Sequence, residues 1–316
     1  MSEANTMRAI SQNTLGGPEV LTEVHLPRPV PGPGEVLIKV RAAGINPTDW
    51  KHRAIRVFLP DPPFVLGWDV SGEVAETGVG VTLFQPGDEV FGMLPYPDGH
   101  GAFAEYVVGP ARAFARKPAG LDHVQAAAIP LAALTAWQAL VDTAGLQAGQ
   151  RVLIHAAAGG VGHFAVQIAK ALGAYVIGTA SAANHDFLRN IGVDEPIDYR
   201  TTDVGETVRD VDVVFDMIDD ENSVRSLRTL RPGGLLVTLR AMGPVDLAAA
   251  AEQLGVRALR LLVEDDHAGM VAIAELVESG ALRPTVAGTF PLADAAKAHA
   301  LGETGRTVGK LVITVA

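Results

Sequence analysis

Residues 151–170, RVLIHAAAGGVGHFAVQIAK, place Ala157, Gly159 and Gly162 at the three positions of a G-x-G-x-x-G turn, with alanine for the first glycine. Each small residue has a physical reason. The first permits a tight exit from a strand, Gly159 lets the backbone approach a pyrophosphate, and Gly162 lets the following helix pack closely on the sheet. Ala158, Gly159, Gly160, Val161 and Gly162 would then form an anion cradle, the amides from Gly160 onward facing phosphate with the positive end of a helix dipole behind them. An ordinary strand-to-helix turn is the competing explanation. The strand, turn, helix and second strand that follow one another within ~30 residues favour a dinucleotide.

The same fingerprint asks for an acid about 20 residues further on, where it would hold the ribose 2′-hydroxyl of NAD. Gly178-Thr179-Ala180-Ser181 stands there instead. A carboxylate ~4 Å from a 2′-phosphate would cost about 4 kcal/mol per unit charge pair at an effective dielectric of 20, so its absence points to NADPH. Thr179, Ser181, Asn184 and His185 are the candidate phosphate contacts, and Tyr199 and Arg200 beyond the third strand would close that side. A solvated loop is the alternative.

Such a loop needs a sheet behind it. From residue 119, short apolar runs at 151–155, 174–179, 196–198, 211–216, 234–239 and 257–263 alternate with helical segments at 161–172, 184–191, 203–209 and 222–229. That is the βαβ rhythm of a doubly wound parallel sheet. Asp216 ends the fourth strand, near where ligands bind in such sheets, with Met217 beside it; Leu239 and Arg240 end the fifth. The earlier chain reads as β, with runs at 35–42, 70–77, 89–93 and 102–108 and turn formers in PGPGEV and QPGDEV, which fits an antiparallel or barrel-like domain. A tail of helix (268–279), strand (285–290), helix (292–301) and strand (310–315) is too short to stand alone and is expected to return to the β half. The expected organisation is therefore an α/β chain, with 1–118 completed by 267–316 as one domain and 119–266 as the other.

Composition narrows the function classes. Twenty-five basic against 36 acidic residues give a net charge of −11, and no Lys/Arg block interrupts the balance, which argues against nucleic acid and anionic membrane surfaces. A small-molecule partner fits better. With 48% hydrophobic and 19% charged residues the chain folds as a globule, and with no cysteine it has no disulfide, thiolate nucleophile, iron–sulfur cluster or sulfur-ligated zinc. The nine histidines show no H-E-x-x-H spacing, and no G-x-S-x-G elbow occurs. TGRTVGKL departs from a phosphate loop at Thr304 and Leu311. MSEANTM does not resemble a secretory leader, and the apolar stretch 126–141 is shorter than a membrane span, so a soluble, cytoplasmic protein is expected.

Segments GGPEVL, PGPGEVLIKVRAAGINPTDWKHR, LGWDVSGEV, FQPGDEVFG, GAFAEYVV, LTAWQAL, AAAGGVG and GKLVI, running over nearly the whole chain in order, resemble the zinc-independent quinone oxidoreductases of the medium-chain dehydrogenase/reductase superfamily. The resemblance implies a GroES-like β domain and a Rossmann domain. It implies direct hydride transfer from NADPH to a quinone or an activated C=C bond, and a homodimer joined through the last Rossmann strand. In zinc-dependent relatives a cysteine ligand stands where this chain has Gly44-Ile45-Asn46, and Gly-His-Glu where it has Gly67-Trp68-Asp69, so no metal site is expected.

By the same resemblance Asn46 would orient the nicotinamide or donate to the acceptor oxygen, though a turn residue capping Pro47-Thr48-Asp49 explains it too. Lys51 would hold enolate charge, or is a surface lysine. Thr135 matches a position facing the nicotinamide, the backbone near Leu239 and Arg240 would meet its carboxamide, and Lys310 would reach the cofactor from the tail. Tyr96 and His100 would form one wall of the acceptor site, or are loop residues. Asp69 is expected to be structural. Asn184 stands where many relatives offer the 2′-phosphate a cation, which weakens the preference for NADPH. An enoyl-thioester reductase of the same fold, or a non-catalytic NADPH-binding protein, are the competing functions.

Overall fold

Pro33-Gly34 and Pro86-Gly87 reverse the chain ahead of two strands, each glycine adopting the positive φ (77° and 93°) that the third position of a type II turn requires. The computed structural model describes residues 6–239 and 244–315. It comprises two units, Met1–Leu134 with Glu264–Ala316, and Thr135–Val263. The first begins with β1 (Thr6–Gln12), β2 (Thr22–Pro27), β3 (Glu35–Ile45), α1 (Pro47–Ala54), β4 (Phe64–Val65), β5 (Asp69–Thr77), β6 (Glu89–Met93), β7 (Tyr106–Pro110), β8 (Phe114–Arg116) and α2 (His123–Ala127); α3 (Pro130–Trp137) runs across the boundary.

Helix α1 was not expected from the sequence. Its start is nonetheless written there: Pro47 occupies the first turn, the Asp49 carboxyl accepts from the Asn46 backbone amide at 2.6 Å, and Lys51 and Arg53 lie in the last turn, where the dipole favours cations. The expected strand 102–108 is shorter and later in the structure. The amides of Ala102 and Phe103 bond to the carbonyls of Gly67 and Leu66, and that of Glu105 to Arg8, so these residues leave the ladder that β7 forms with β3.

The second unit holds β9 (Arg151–Ile154), α4 (Gly162–Ala171), β10 (Tyr175–Ala180), α5 (His185–Asn190), β11 (Glu195–Asp198), α6 (Val204–Thr207), β12 (Val211–Asp216), α7 (Asp220–Ser226), β13 (Leu230–Thr238), α8 (Leu247–Gln253) and β14 (Arg257–Arg260). Its sheet is parallel, in the order β11-β10-β9-β12-β13-β14. The winding reverses between β9 and β12, so the turn after β9 sits at the switch point where such sheets bind ligands. Leu153, Ile177, Val214 and Leu236 are buried together in its core.

The chain then returns to the first unit through α9 (His267–Glu278), β15 (Val286–Pro291), α10 (Ala295–Glu303) and β16 (Lys310–Thr314). Strand β16 pairs antiparallel with β3, Leu311 opposite Ile45 and Val312 opposite Gly44, which brings Lys310 beside Asn46. The seven-stranded sheet runs β15-β16-β3-β5-β6-β8 with β7 on β3, and a second sheet runs β2-β1-β4. Contacts divide the chain later than the expected 118/119 junction because α2 packs on β3 and β5. Among the described residues no helix is long and apolar enough to cross a membrane.

Candidate functional sites

The turn after β9 is anchored from below. Ala156 adopts φ 47°, a left-handed conformation that costs a non-glycine residue about 1–2 kcal/mol. It lies one residue ahead of the first template position. Its amide donates to Thr179 Oγ1 (3.2 Å), and the Ala157 amide donates to the Thr179 carbonyl (2.9 Å). His155, buried beneath, meets Thr179 Oγ1 through Nδ1 (3.2 Å) and Ser226 Oγ through Nε2 (2.8 Å). Burial holds His155 below the usual histidine range, so the ring is neutral and has one donor and one acceptor for these two hydroxyls. Thr179, expected at the 2′-phosphate, thus spends its hydroxyl on the loop.

Above this anchor the geometry fits a phosphate. A Cβ on Gly162 would lie 2.2 Å from the Ala156 carbonyl oxygen, so only glycine allows α4 to approach β9 this closely. At Gly159 the nearest atom to such a Cβ is that same oxygen at 3.2 Å, with nothing else within 4 Å. Among the described residues the amides of Gly160, Val161 and Gly162 have no backbone acceptor, and Ala158 is buried beside them. These are the free donors of a helix start.

Around the loop, the carboxylate of Asp216 accepts from the Ile218 amide, Asn222 Nδ2 and Ser223 Oγ (3.0, 3.0 and 2.6 Å) and so shapes the turn into α7. Met217 and Leu239 are half-buried, and the Leu239 amide bonds to the Asp216 carbonyl. Ser181 caps a short 3-10 turn that ends at Asn184, and His185 Nε2 is buried with no partner among the described residues. Tyr199 is exposed with the Arg200 guanidinium over its ring, Thr135 is buried, and Arg240 lies outside the described residues.

In the first unit, four buried polar residues meet where β3, α1, β5 and β16 converge. Lys310 donates to the Ile45 carbonyl (2.9 Å), to Asn46 Oδ1 and to Asp69 Oδ2 (3.3 Å). Asn46 Nδ2 donates to Asp69 Oδ2 (2.9 Å), and Asp69 Oδ1 accepts from the Leu131 amide (2.6 Å), the structural task expected of it. All three ammonium donors of Lys310 are thereby engaged inside this unit, where the sequence had suggested a cofactor contact. Asp49 is fully buried, and among the described residues its Oδ1 has no hydrogen-bond partner. Desolvation pushes its carboxyl up to about 8, against the Asn46 amide bond that lowers it, with Asp69 adding repulsion.

Lys51 stands exposed on α1, three residues from Thr48 and hence on the same face. Thr48 Oγ1 bonds to Tyr96 Oη (3.0 Å) and lies 3.1 Å from His52 Nδ1. The rings of His52, Phe58 and Trp68 surround Tyr96 at 5.3–6.0 Å between centroids, while His100 Nδ1 donates to the Val65 carbonyl. Asp49, Thr48 and His52 do not stand out in the sequence. The i, i+4 spacing of Thr48 and His52 is the signal that would have found them, had α1 been recognised. Among the described residues no three His, Asp or Glu side chains cluster as metal ligands.

Residues 32–119 match the alcohol dehydrogenase GroES-like domain, and residues 191–313 the zinc-binding dehydrogenase domain. A 2-haloacrylate reductase from a Burkholderia species is 35% identical, over 94% of this chain and 96% of its own. The structure of the quinone oxidoreductase from Coxiella burnetii is similar with a TM-score of 0.92 at 37% identity, covering 98% of this chain and 100% of that one. Mycobacterial Rv1454c, solved in complex with NADPH, gives a TM-score of 0.86 at 32% identity, covering 98% and 99%.

Proposed function

The chain belongs to the quinone oxidoreductases of the medium-chain dehydrogenase/reductase superfamily, and from that premise we propose that it is an NADPH-dependent reductase of quinones and activated C=C bonds that works without zinc. When bound, the dinucleotide supplies the hydride; the protein's part is to hold it, align the acceptor and stabilise negative charge on oxygen.

The observation that carries this reading is the cradle from Ala158 to Gly162, whose free amides and cramped Gly162 fit a pyrophosphate, joined to a β10 end with no carboxylate. Ser181, Asn184, His185 and Tyr199 border the 2′-phosphate side. The NADPH complex of a structural relative supports the same cofactor. The zinc-free mechanism rests on the residue types at Gly44-Ile45-Asn46 and Gly67-Trp68-Asp69. Asn46, its amide held between Asp69 and Lys310, and Lys51 on the α1 face complete the reading near the acceptor.

Initial rates of NADPH and NADH oxidation by chelator-treated protein, with 1,4-naphthoquinone or a cyclic enone as acceptor, test it. Turnover with a lower KM for NADPH is expected; a requirement for added zinc, or a preference for NADH, defeats it. The exposed edge of β14, with Leu259 on the strand and Leu262 just after it both exposed, is the proposed homodimer contact in the cytoplasm. A monomeric mass by size exclusion across concentrations would count against that assembly, and recovery with membranes on cell fractionation against that location.

A further inference from the structure

We infer that the Tyr96 phenol is the proton donor to the acceptor's carbonyl oxygen, held ready for that step by a directed hydrogen-bond chain from His52 through Thr48. The inference rests on the proposed reductase reading.

The direction of the chain follows from which groups can donate. His52 Nδ1 lies 2.9 Å from the Thr48 carbonyl oxygen, and a carbonyl only accepts, so Nδ1 carries the ring proton. Nε2 is then bare and accepts from the Phe58 amide at 3.4 Å, consistent with that tautomer. The Nδ1–H also reaches Thr48 Oγ1 (3.1 Å), which leaves the threonine hydroxyl to donate onward to Tyr96 Oη (3.0 Å). Tyr96 Oη therefore receives a hydrogen bond from the protein and keeps its own proton to give.

The surroundings suit an acid that must stay protonated until used. Burial pushes the Tyr96 phenol up and the His52 imidazole down, so both are neutral near pH 7. Trp68, His52 and Phe58 meet the Tyr96 ring edge-on, at interplanar angles of 62°, 85° and 89°, which fixes where the hydroxyl points. Tyr96 is half-buried, so water can reprotonate it.

The step balances without a further reagent. Hydride forms a C–H bond at the acceptor's conjugated carbon, the π electrons move to the carbonyl oxygen, and the Tyr96 O–H bond breaks to give that oxygen its proton. The phenolate left behind is stabilised by the Thr48 hydroxyl and takes a proton from water. Thr48 and His52 are positioning residues.

Steady-state kinetics of the full chain with NADPH and 1,4-naphthoquinone, in H2O and D2O, test the assignment. Tyr96→Phe is expected to lower kcat on the order of 100-fold, with KM and the Kd for NADPH within about twofold of wild type and the solvent isotope effect changed. Thr48→Val should lose part of that rate and Thr48→Ser restore it. A Tyr96→Phe protein with wild-type kcat and isotope effect, or Thr48→Ser as slow as Thr48→Val, overturns the inference while leaving the reductase reading intact. A wild-type protein that oxidises no NADPH with any quinone or enone overturns both.

Discussion

The ammonium of Lys310, in the last strand, is hydrogen-bonded to the side-chain carbonyl of Asn46, 264 residues earlier in the chain. It also neutralises Asp69, which is fully buried. Lys310→Met leaves that carboxylate without its counter-charge, an arrangement that costs about 3–5 kcal/mol. The expected result is a fall in the thermal midpoint on the order of 10 °C, read by circular dichroism; a shift within about 2 °C would mean that the pair contributes nothing.

Gly162 and Gly159 should fail differently. A methyl group at Gly162 meets a backbone oxygen at 2.2 Å and must push α4 off β9, so Gly162→Ala is expected to lower both stability and dinucleotide affinity. At Gly159 the nearest obstacle is at 3.2 Å, so Gly159→Ala should melt near wild type yet bind NADPH at least about tenfold more weakly, as the space is kept for phosphate. Melting curves and fluorescence titration separate the two. Equal affinity in wild type and Gly159→Ala would remove the phosphate from that place.

Asp49 gives stability a slope with pH. Its carboxyl holds a proton up to about 8 in the folded chain, against an ordinary value of 3.8, so folding takes up a proton between about pH 4 and 8. Stability from this group is therefore full below that window and is lost as pH rises through it. Asp49→Asn, which needs no proton, is expected to gain on wild type steadily from pH 5 to 8.5 in urea titrations. Parallel curves for the two proteins would show that Asp49 is ionised when folded.

His299 acts in the opposite sense. Burial and the Arg53 guanidinium, 3.4 Å from its Nδ1, push it down to about 3 from an ordinary 6.5. The unfolded chain then binds the extra proton, and stability falls as pH drops from 6.5 toward 3. His299→Gln should flatten that acid limb while keeping the aromatic contact region with Trp50 and Phe103 filled. An unchanged limb would place the acid sensitivity elsewhere.

How far the sequence carried can be seen element by element. The strand at Arg151–Ile154, the helix at Gly162–Ala171 and the six-strand rhythm were legible because βαβ units are written in local apolar runs and small-residue turns. Helix α1 was missed because eight residues of mean polar character carry too little periodicity to stand out, although Pro47 and Asp49 mark its start. The late start of β7 was illegible since it depends on where Arg8, Leu66 and Gly67 offer carbonyls.

Residue types alone settled that no cysteine chemistry is possible, that a glycine-rich turn follows a strand, and that no acid waits at the end of the next one. The partners of Lys310, Asn46, Thr48 and Tyr96 were decided only in three dimensions. Lys310 meets Asn46 because β16 pairs with β3 in one register, and Thr48 meets Tyr96 across 48 residues. Such pairs arise from strand register and side-chain packing between distant segments, and nothing in the local spacing of either residue specifies the other.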